Sequence, residues 1–225
     1  MGGHMAISHL IDLLRPNQIN REYFFQCIRY NFPQFTPGHT LIEAAYRIAK
    51  EAHRQDFRRS GERYFEHVRA VSLITTEYLR IRDADACAAG LVHDTPEDHP
   101  DQWPIERIAD ELNPSIAARV QWGNKRRFDA INDASEQERR YRTSLLLDAP
   151  RELAEWKLPD GLHNLLTLWD ESPEAIERKI TDALAWRLPL AEKHGLLVYE
   201  YEEAISNLIK GKHAMPPPKV PSRRR

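Results

Sequence analysis

Apolar residues recur three and four positions apart along most of this 225-residue chain, as in Leu10, Ile11, Leu13 and Leu14, and again in Ala45, Ile48, Ala49 and Ala52. That period follows one face of an α-helix, and sustained strand-type alternation is hard to find, so the pattern predicts an all-α fold, a compact multi-helix domain. Prolines at Pro16, Pro33, Pro37, Pro100, Pro104, Pro114, Pro150, Pro159 and Pro173 mark joints between helices of ordinary length. The predicted helices are 6–15, 20–31, 39–54, 63–80, 83–94, 104–112, 114–122, 136–147, 151–157, 160–169, 174–193 and 196–210.

A chain this long buries one substantial core. With 29% charged residues, 41% apolar ones and a net charge of -2, it reads as a soluble globular protein without a nucleic-acid polymer as partner. No stretch approaches the roughly 20 apolar residues of a membrane helix and no signal peptide is evident, which predicts a cytoplasmic location and no membrane partner. Cys27 and Cys87 lack metal-type spacing and are expected to be ordinary core thiols. Met1 to Met5 reads as an expression scar, so His4 is excluded from any site. The proline-rich, basic stretch from Pro216 to Arg225 reads as a disordered tail.

The segment Leu91-Val92-His93-Asp94-Thr95-Pro96-Glu97-Asp98 carries the chemistry. Four ionisable groups follow the small-apolar run Cys87-Ala88-Ala89-Gly90, so a tightly packed helix delivers costly polar groups at or near the core, where a bound cation is the simplest partner. Pro96 is expected to push Thr95 out of the helical region and to break the helix beside His93-Asp94, letting 93–94 and 97–98 face one cavity from different elements. The dipeptide alone says little, since chance supplies about 0.6 His-Asp pairs in a chain of this composition.

Two further segments complete the pattern: AHRQDFRRSGERYFEH, ending at His67, and KLPDGLHNLLTL, which contains Asp160. In this order, with AAGLVHDTPED between them and LPLAEKHG after them, they resemble the hydrolase domain of the RelA/SpoT homologues, and in particular the small alarmone hydrolases. The resemblance runs from about Ala44 to Gly195. It divides the chain into 1–43, a tag remnant plus an N-terminal helical extension, 44–210, an HD-type hydrolase domain, and the tail 211–225.

The resemblance implies that His67, His93, Asp94 and Asp160 hold one divalent ion, with Mn2+ expected and Zn2+ or Fe2+ left open. Two imidazoles and two carboxylates suit such a cation. Glu97 and Asp98 match the family's acidic pair, which orients or deprotonates the attacking water, against the alternative that they merely cap the segment after Pro96. Arg58 and Arg59 match a basic pair lying against the purine and its neighbouring phosphate. Ser60, Asn164 and Thr167 match positions lining the nucleotide pocket, and Lys125 falls near a basic position for the distal phosphates.

The implied activity is removal of the 3′-pyrophosphate from (p)ppGpp or (p)ppApp. An HD-type nucleotidase or an NADPH 2′-phosphatase is the alternative with the same site, and a catalytically silent alarmone-binding module the alternative of another class. The sequence departs from the family pattern at Gly161, where a basic residue is usual, at Pro159, at Trp186 and at Trp122-Gly123-Asn124. These changes bear on the pocket wall and predict relaxed preference between guanine and adenine.

Overall fold

The computed structural model describes residues 6–14 and 20–217. Pro16, the tag remnant and the end of the tail lie outside the described residues. The described chain forms α1 (Ala6–Leu14), α2 (Arg21–Ile28), α3 (Pro37–Ala52), α4 (Tyr64–Leu73), α5 (Ala84–Val92), α6 (Thr95–Asp98), α7 (Ile105–Glu111), α8 (Pro114–Gly123), α9 (Ala134–Leu147), α10 (Arg151–Leu166), α11 (Pro173–Asp182), α12 (Leu188–His194) and α13 (Val198–Ile209). Wider π turns extend α4 over Ile74–Tyr78 and join α11 to α12 over Ala183–Arg187, and a 3-10 turn spans Lys125–Phe128. Among the described residues the only strand-like feature is one isolated antiparallel bridge, Phe57 with Arg63.

The prolines were legible as joints because most of them start helices. Pro37, Pro114 and Pro173 sit in first turns, where a missing N–H removes no intrahelical bond, each behind a capping side chain: Thr36, Asn113 and Ser172. Pro159 is the exception. The predicted helices 151–157 and 160–169 are one helix, α10, which passes straight through it. The carbonyl that Pro159 deprives of its partner belongs to Glu155, and the Thr75 hydroxyl, in the π turn after α4, lies 2.9 Å from it and shares its proton between it and the Val71 carbonyl at 3.0 Å. A tertiary hydrogen bond thus repairs the defect that the sequence rule penalises.

Helix α5 occupies the centre, packed against α3, α4, α8 and α10. Ala86, Cys87, Ala88, Ala89, Gly90, Leu91 and Val92 are all buried, so this helix is covered on every side, as its small-apolar run predicts. Residues of α1 and α2, among them Ile7, Leu10, Phe24 and Ile28, join the same apolar cluster as α4, α5 and α10. Cys87 is buried and Cys27 half-buried, both as free thiols. No described helix is long and apolar enough to cross a membrane.

Candidate metal centre and nucleotide pocket

Helix α4 carries His67 one turn inside its start, α10 carries Asp160, and α5 ends so that His93 and Asp94 follow it directly. The backbone stays right-handed through both residues, with φ -58° at His93 and -92° at Asp94, and Thr95 already belongs to α6. The expectation that Pro96 moves Thr95 out of the helical region is therefore corrected. Pro96 lies in the first turn of α6, where it interrupts no hydrogen bond, and the helix breaks at His93-Asp94, as expected.

The four expected ligands converge. His67 Nε2 lies 3.3 Å from Asp160 Oδ1 and 4.0 Å from Asp94 Oδ2, while His93 Nε2 lies 2.9 Å from Asp94 Oδ2 and 3.8 Å from Asp160 Oδ1. His93 Nδ1 is 2.9 Å from the Gly90 carbonyl, which can only accept, so Nδ1 carries a proton and Nε2 is the nitrogen that faces the two carboxylates. That buried Nε2 has no hydrogen-bond partner. Two imidazoles and two carboxylates form a donor set that fits a divalent cation, and His67, His93 and Asp160 make a possible metal site.

Electrostatics favour positive charge at this point. Burial lowers His67 to about 4. Burial opposes ionisation of His93 too, but Asp94 and then Asp160 more than offset it and push the ring up to about 9. Against the same burial, His93 holds Asp94 below the usual carboxylate range, and Lys157 and His67 do so for Asp160. A proton on His93 and a divalent cation meet this demand alternatively, and only the cation uses all four residues at once.

Tyr64, Lys157, Trp156 and His163 were given no role in the sequence reading, and Asn164 was expected only in the pocket wall. The Tyr64 hydroxyl donates to Asp94, and its ring stacks near His53. Lys157 Nζ stands 3.1 Å from Asp160 Oδ2, and Asn164 Nδ2 donates to Asp160 Oδ1 at 2.7 Å. The Trp156 ring lies against His93 with centroids 5.3 Å apart. His163 Nδ1 is 2.9 Å from His67 Nδ1, and burial, with His67 and Arg58 beside it, holds His163 well below the usual histidine range. Helical spacing was the available signal: Asp160, His163, Asn164 and Thr167 follow an i, i+3, i+4, i+7 stripe.

Glu97 and Asp98 project from α6 beside this cluster. Glu97 Oε2 accepts the Lys125 N–H at 3.3 Å, so it caps the 3-10 turn across the cleft and not its own segment. Asp98 stands at the rim, where desolvation, then Asp94 and Glu97, raise its carboxyl to about 6.

A tight reversal presents the basic pair. Gly61 N–H donates to the Arg58 carbonyl at 2.9 Å and Arg58 N–H to that of Glu62 at 2.8 Å, a turn that needs the positive φ of 79° at Gly61. Arg58 folds inward onto His163 and Asn164, whereas Arg59 points outward and pairs with Glu171 at 2.8 Å. A cavity of about 210 Å³ is lined by Arg58, Arg59, Ser60, Asn164 and Thr167 among others. Ser60 Oγ lies 3.4 Å from the Glu62 N–H, and the Thr167 hydroxyl donates to the His163 carbonyl at 2.8 Å. A larger cavity of about 530 Å³ adjoins it through Arg59, with Lys125, Lys157, Arg178, Lys179 and Arg187 in its wall. Lys125 pairs there with Glu138 at 2.8 Å.

The departure at Gly161 has a steric cause. A Cβ at this position would fall on Arg187 Nη1 and the Tyr201 hydroxyl, so the guanidinium of Arg187, reaching in from the π turn, fills the space. Its buried Nη1 has no hydrogen-bond partner. At the other departures, Trp186 is buried and donates from its indole to Asp182, and Asn124 caps the 3-10 turn.

Residues 45–196 match the HD domain family. A probable GTP pyrophosphokinase of Mycobacterium leprae is 30% identical over 165 residues, 72% of this chain and 20% of that protein. A guanosine-3′,5′-bis(diphosphate) 3′-pyrophosphohydrolase of Aquifex aeolicus is 32% identical over 157 residues, 69% of this chain and 22% of that protein. The chain thus spans about a fifth of the length of these curated relatives. A solved structure of a metazoan ortholog of SpoT, described as hydrolysing ppGpp, has a TM-score of 0.59 at 22% identity, covering 74% of this chain and 94% of that one, a likeness of fold.

Proposed function

The chain belongs to the HD domain family, and we propose that it is a Mn2+-dependent pyrophosphohydrolase that removes the 3′-pyrophosphate of (p)ppGpp or (p)ppApp. The observation that carries this reading is the convergence of the buried His93 Nε2 with two carboxylates and His67, beside the acidic pair of α6 and next to a basic cavity. The relatives' names divide between making and removing pyrophosphate groups on guanosine nucleotides. A His/Asp cluster flanked by free carboxylates supports removal by water.

In this reading His67, His93, Asp94 and Asp160 hold the cation, and Tyr64, Asn164 and Lys157 fix the two carboxylates in place. Bound there, a divalent ion would polarise a phosphoryl oxygen and make water more acidic. Asp98, poised near 6, accepts a proton from the attacking water at neutral pH, while Glu97, anchored to the Lys125 backbone, orients that water. Water adds at phosphorus, the bond to the nucleoside 3′-oxygen breaks, and pyrophosphate leaves together with GDP or GTP, or the adenine equivalents. Arg58, Ser60, Asn164 and Thr167 receive the nucleoside, and Arg59, Lys125, Lys157, Arg178 and Arg187 receive phosphates. A guanidinium stacks on either purine, so ppGpp and ppApp are used at similar rates.

Mn2+-loaded protein incubated separately with ppGpp, ppApp, NADPH and deoxynucleoside monophosphates tests this reading by its products. Free pyrophosphate from the first two supports it. Release of inorganic phosphate from NADPH or a monophosphate, without pyrophosphate from either alarmone, overturns it.

A further inference from the structure

We infer that Arg58, acting through His163, fixes the tautomer of His67, so that a residue at the wall of the nucleotide pocket also sets the metal-binding competence of the cluster. The inference rests on the proposed role of His67 as a ligand.

His67 Nδ1 and His163 Nδ1 face each other at 2.9 Å, so one donates and the other accepts. If His163 donated, His67 would hold its proton on Nε2, against Asp160 Oδ1 at 3.3 Å, and would have no lone pair for a cation. If His67 donates, its Nε2 is bare and faces the carboxylates. Nothing in the two imidazoles themselves chooses between these polarities. Arg58 does choose: its Nη1 lies 3.3 Å from the same His163 Nδ1, and a guanidinium only donates. His163 Nδ1 therefore carries no proton, and its one lone pair is shared between His67 at the shorter distance and Arg58 at the longer, which leaves the Nδ1 proton on His67.

The second arm of the same guanidinium runs to the other side of the cluster. Arg58 Nη2 donates to Asn164 Oδ1 at 2.9 Å, which turns the Asn164 amide so that Nδ2 donates to Asp160 Oδ1 at 2.7 Å. One fork thus fixes the orientation of an amide and the polarity of an imidazole pair, each in contact with a different expected ligand. His93 needs no such device, because the Gly90 carbonyl sets its tautomer directly. His67 lies one turn inside α4, where its neighbours' carbonyls are taken up by the helix, and so depends on a side chain for the same service.

The test reads the tautomer and the metal separately. Long-range proton–nitrogen NMR correlations of the metal-free protein report which ring nitrogen of His67 is protonated, and calorimetric titration with Mn2+ reports affinity. The wild type is expected to show protonated Nδ1 at His67. His163→Phe is expected to lose that fixed form and to bind Mn2+ about 10- to 100-fold more weakly, the usual scale for an outer-shell partner of a ligating histidine. His163→Gln, whose amide oxygen can accept from both neighbours, should recover most of the affinity. Arg58→Met, at a half-buried position where misfolding is less of a hazard, should release the polarity and weaken Mn2+ binding with His163 intact. Protonated Nε2 at His67 in the wild type, or Mn2+ affinity unchanged in folded His163→Phe and Arg58→Met, overturns the inference. A wild type with protonated Nδ1 that binds no divalent ion would instead sink the proposed function and leave the relay standing.

Discussion

Among the described residues, histidine and aspartate come together in two clusters. His67, His93, Asp94 and Asp160 form one cluster, and His53, Asp56 and His99 form the other, a short distance away across Tyr64. In the second cluster Asp56 Oδ2 lies 2.8 Å from His53 Nδ1 and 2.7 Å from His99 Nε2. Both rings give their protons to one carboxylate, which the two histidines, against its burial, hold below its ordinary value. In the first cluster the rings send their Nδ1 protons outward, to Gly90 and His163, and the carboxylates draw their donors from Tyr64, Asn164 and Lys157. Similar residues therefore make a clasp around one carboxylate in one place, with His53 Nε2 buried and left without a hydrogen-bond partner, and in the other a pair of carboxylates that calls for positive charge. What separates them is the direction of the hydrogen bonds, not the composition.

The strongest way to break this comparison is to remove a ligand from each side. His93→Ala and Asp94→Ala should each abolish metal retention and activity, because a partly buried site compensates poorly for a missing donor. His99→Ala should keep the metal content of the wild type. Elemental analysis of the purified variants, alongside turnover, checks both halves, and loss of metal in His99→Ala would mean that the two clusters act as one.

Within the first cluster, holding the ion and moving the proton are assigned to different residues. Glu97→Gln should leave metal and nucleotide binding in place while kcat falls by roughly 10², the scale for losing an acid–base group. If the variant arrives without metal, the division between ligands and the acidic pair is wrong.

The clasp predicts a stability effect instead. Asp56→Asn replaces the charged oxygen that accepts from both histidines by a neutral amide and should lower unfolding free energy by about 1–3 kcal/mol, with metal content unchanged. Denaturant unfolding at fixed Mn2+ measures it, and an unaltered midpoint would show that the clasp contributes nothing.

The smallest expected effect concerns Asp98. Its raised pKa means that the folded protein binds more protons than the unfolded chain between about pH 4 and 6, so ionised Asp98 costs stability above about pH 6 and nothing below about pH 4. Asp98→Asn should accordingly raise the melting temperature of the metal-free protein at pH 7.5, with the gain fading by pH 4. A gain of the same size at both values would assign the effect to something other than charge.

Much of this arrangement was readable from local pattern. The helical period, the prolines at helix starts and the small-apolar run of α5 each reflect neighbours in sequence, where spacing and steric rules apply directly. The convergence of His67, His93, Asp94 and Asp160 was expected from family resemblance, which carries three-dimensional information that periodicity lacks. Tyr64 and His163 lay within the quoted motifs, yet their contacts with Asp94 and His67 depend on how α4, α5 and α10 pack.

The sequence by itself determined an all-α chain with a polar cluster at the end of its most buried helix, because helical periodicity and the cost of burying unpartnered charge are written in nearest neighbours. Only the tertiary structure decided that α10 continues through Pro159, since the hydroxyl that rescues the Glu155 carbonyl comes from Thr75, 80 positions away. It alone decided that Arg187 fills the space beside Gly161 and that Arg59 turns away from Arg58 towards Glu171. It also decided which histidine nitrogens are bare, because a proton's place on an imidazole is set by whichever donor or acceptor packing brings against the ring.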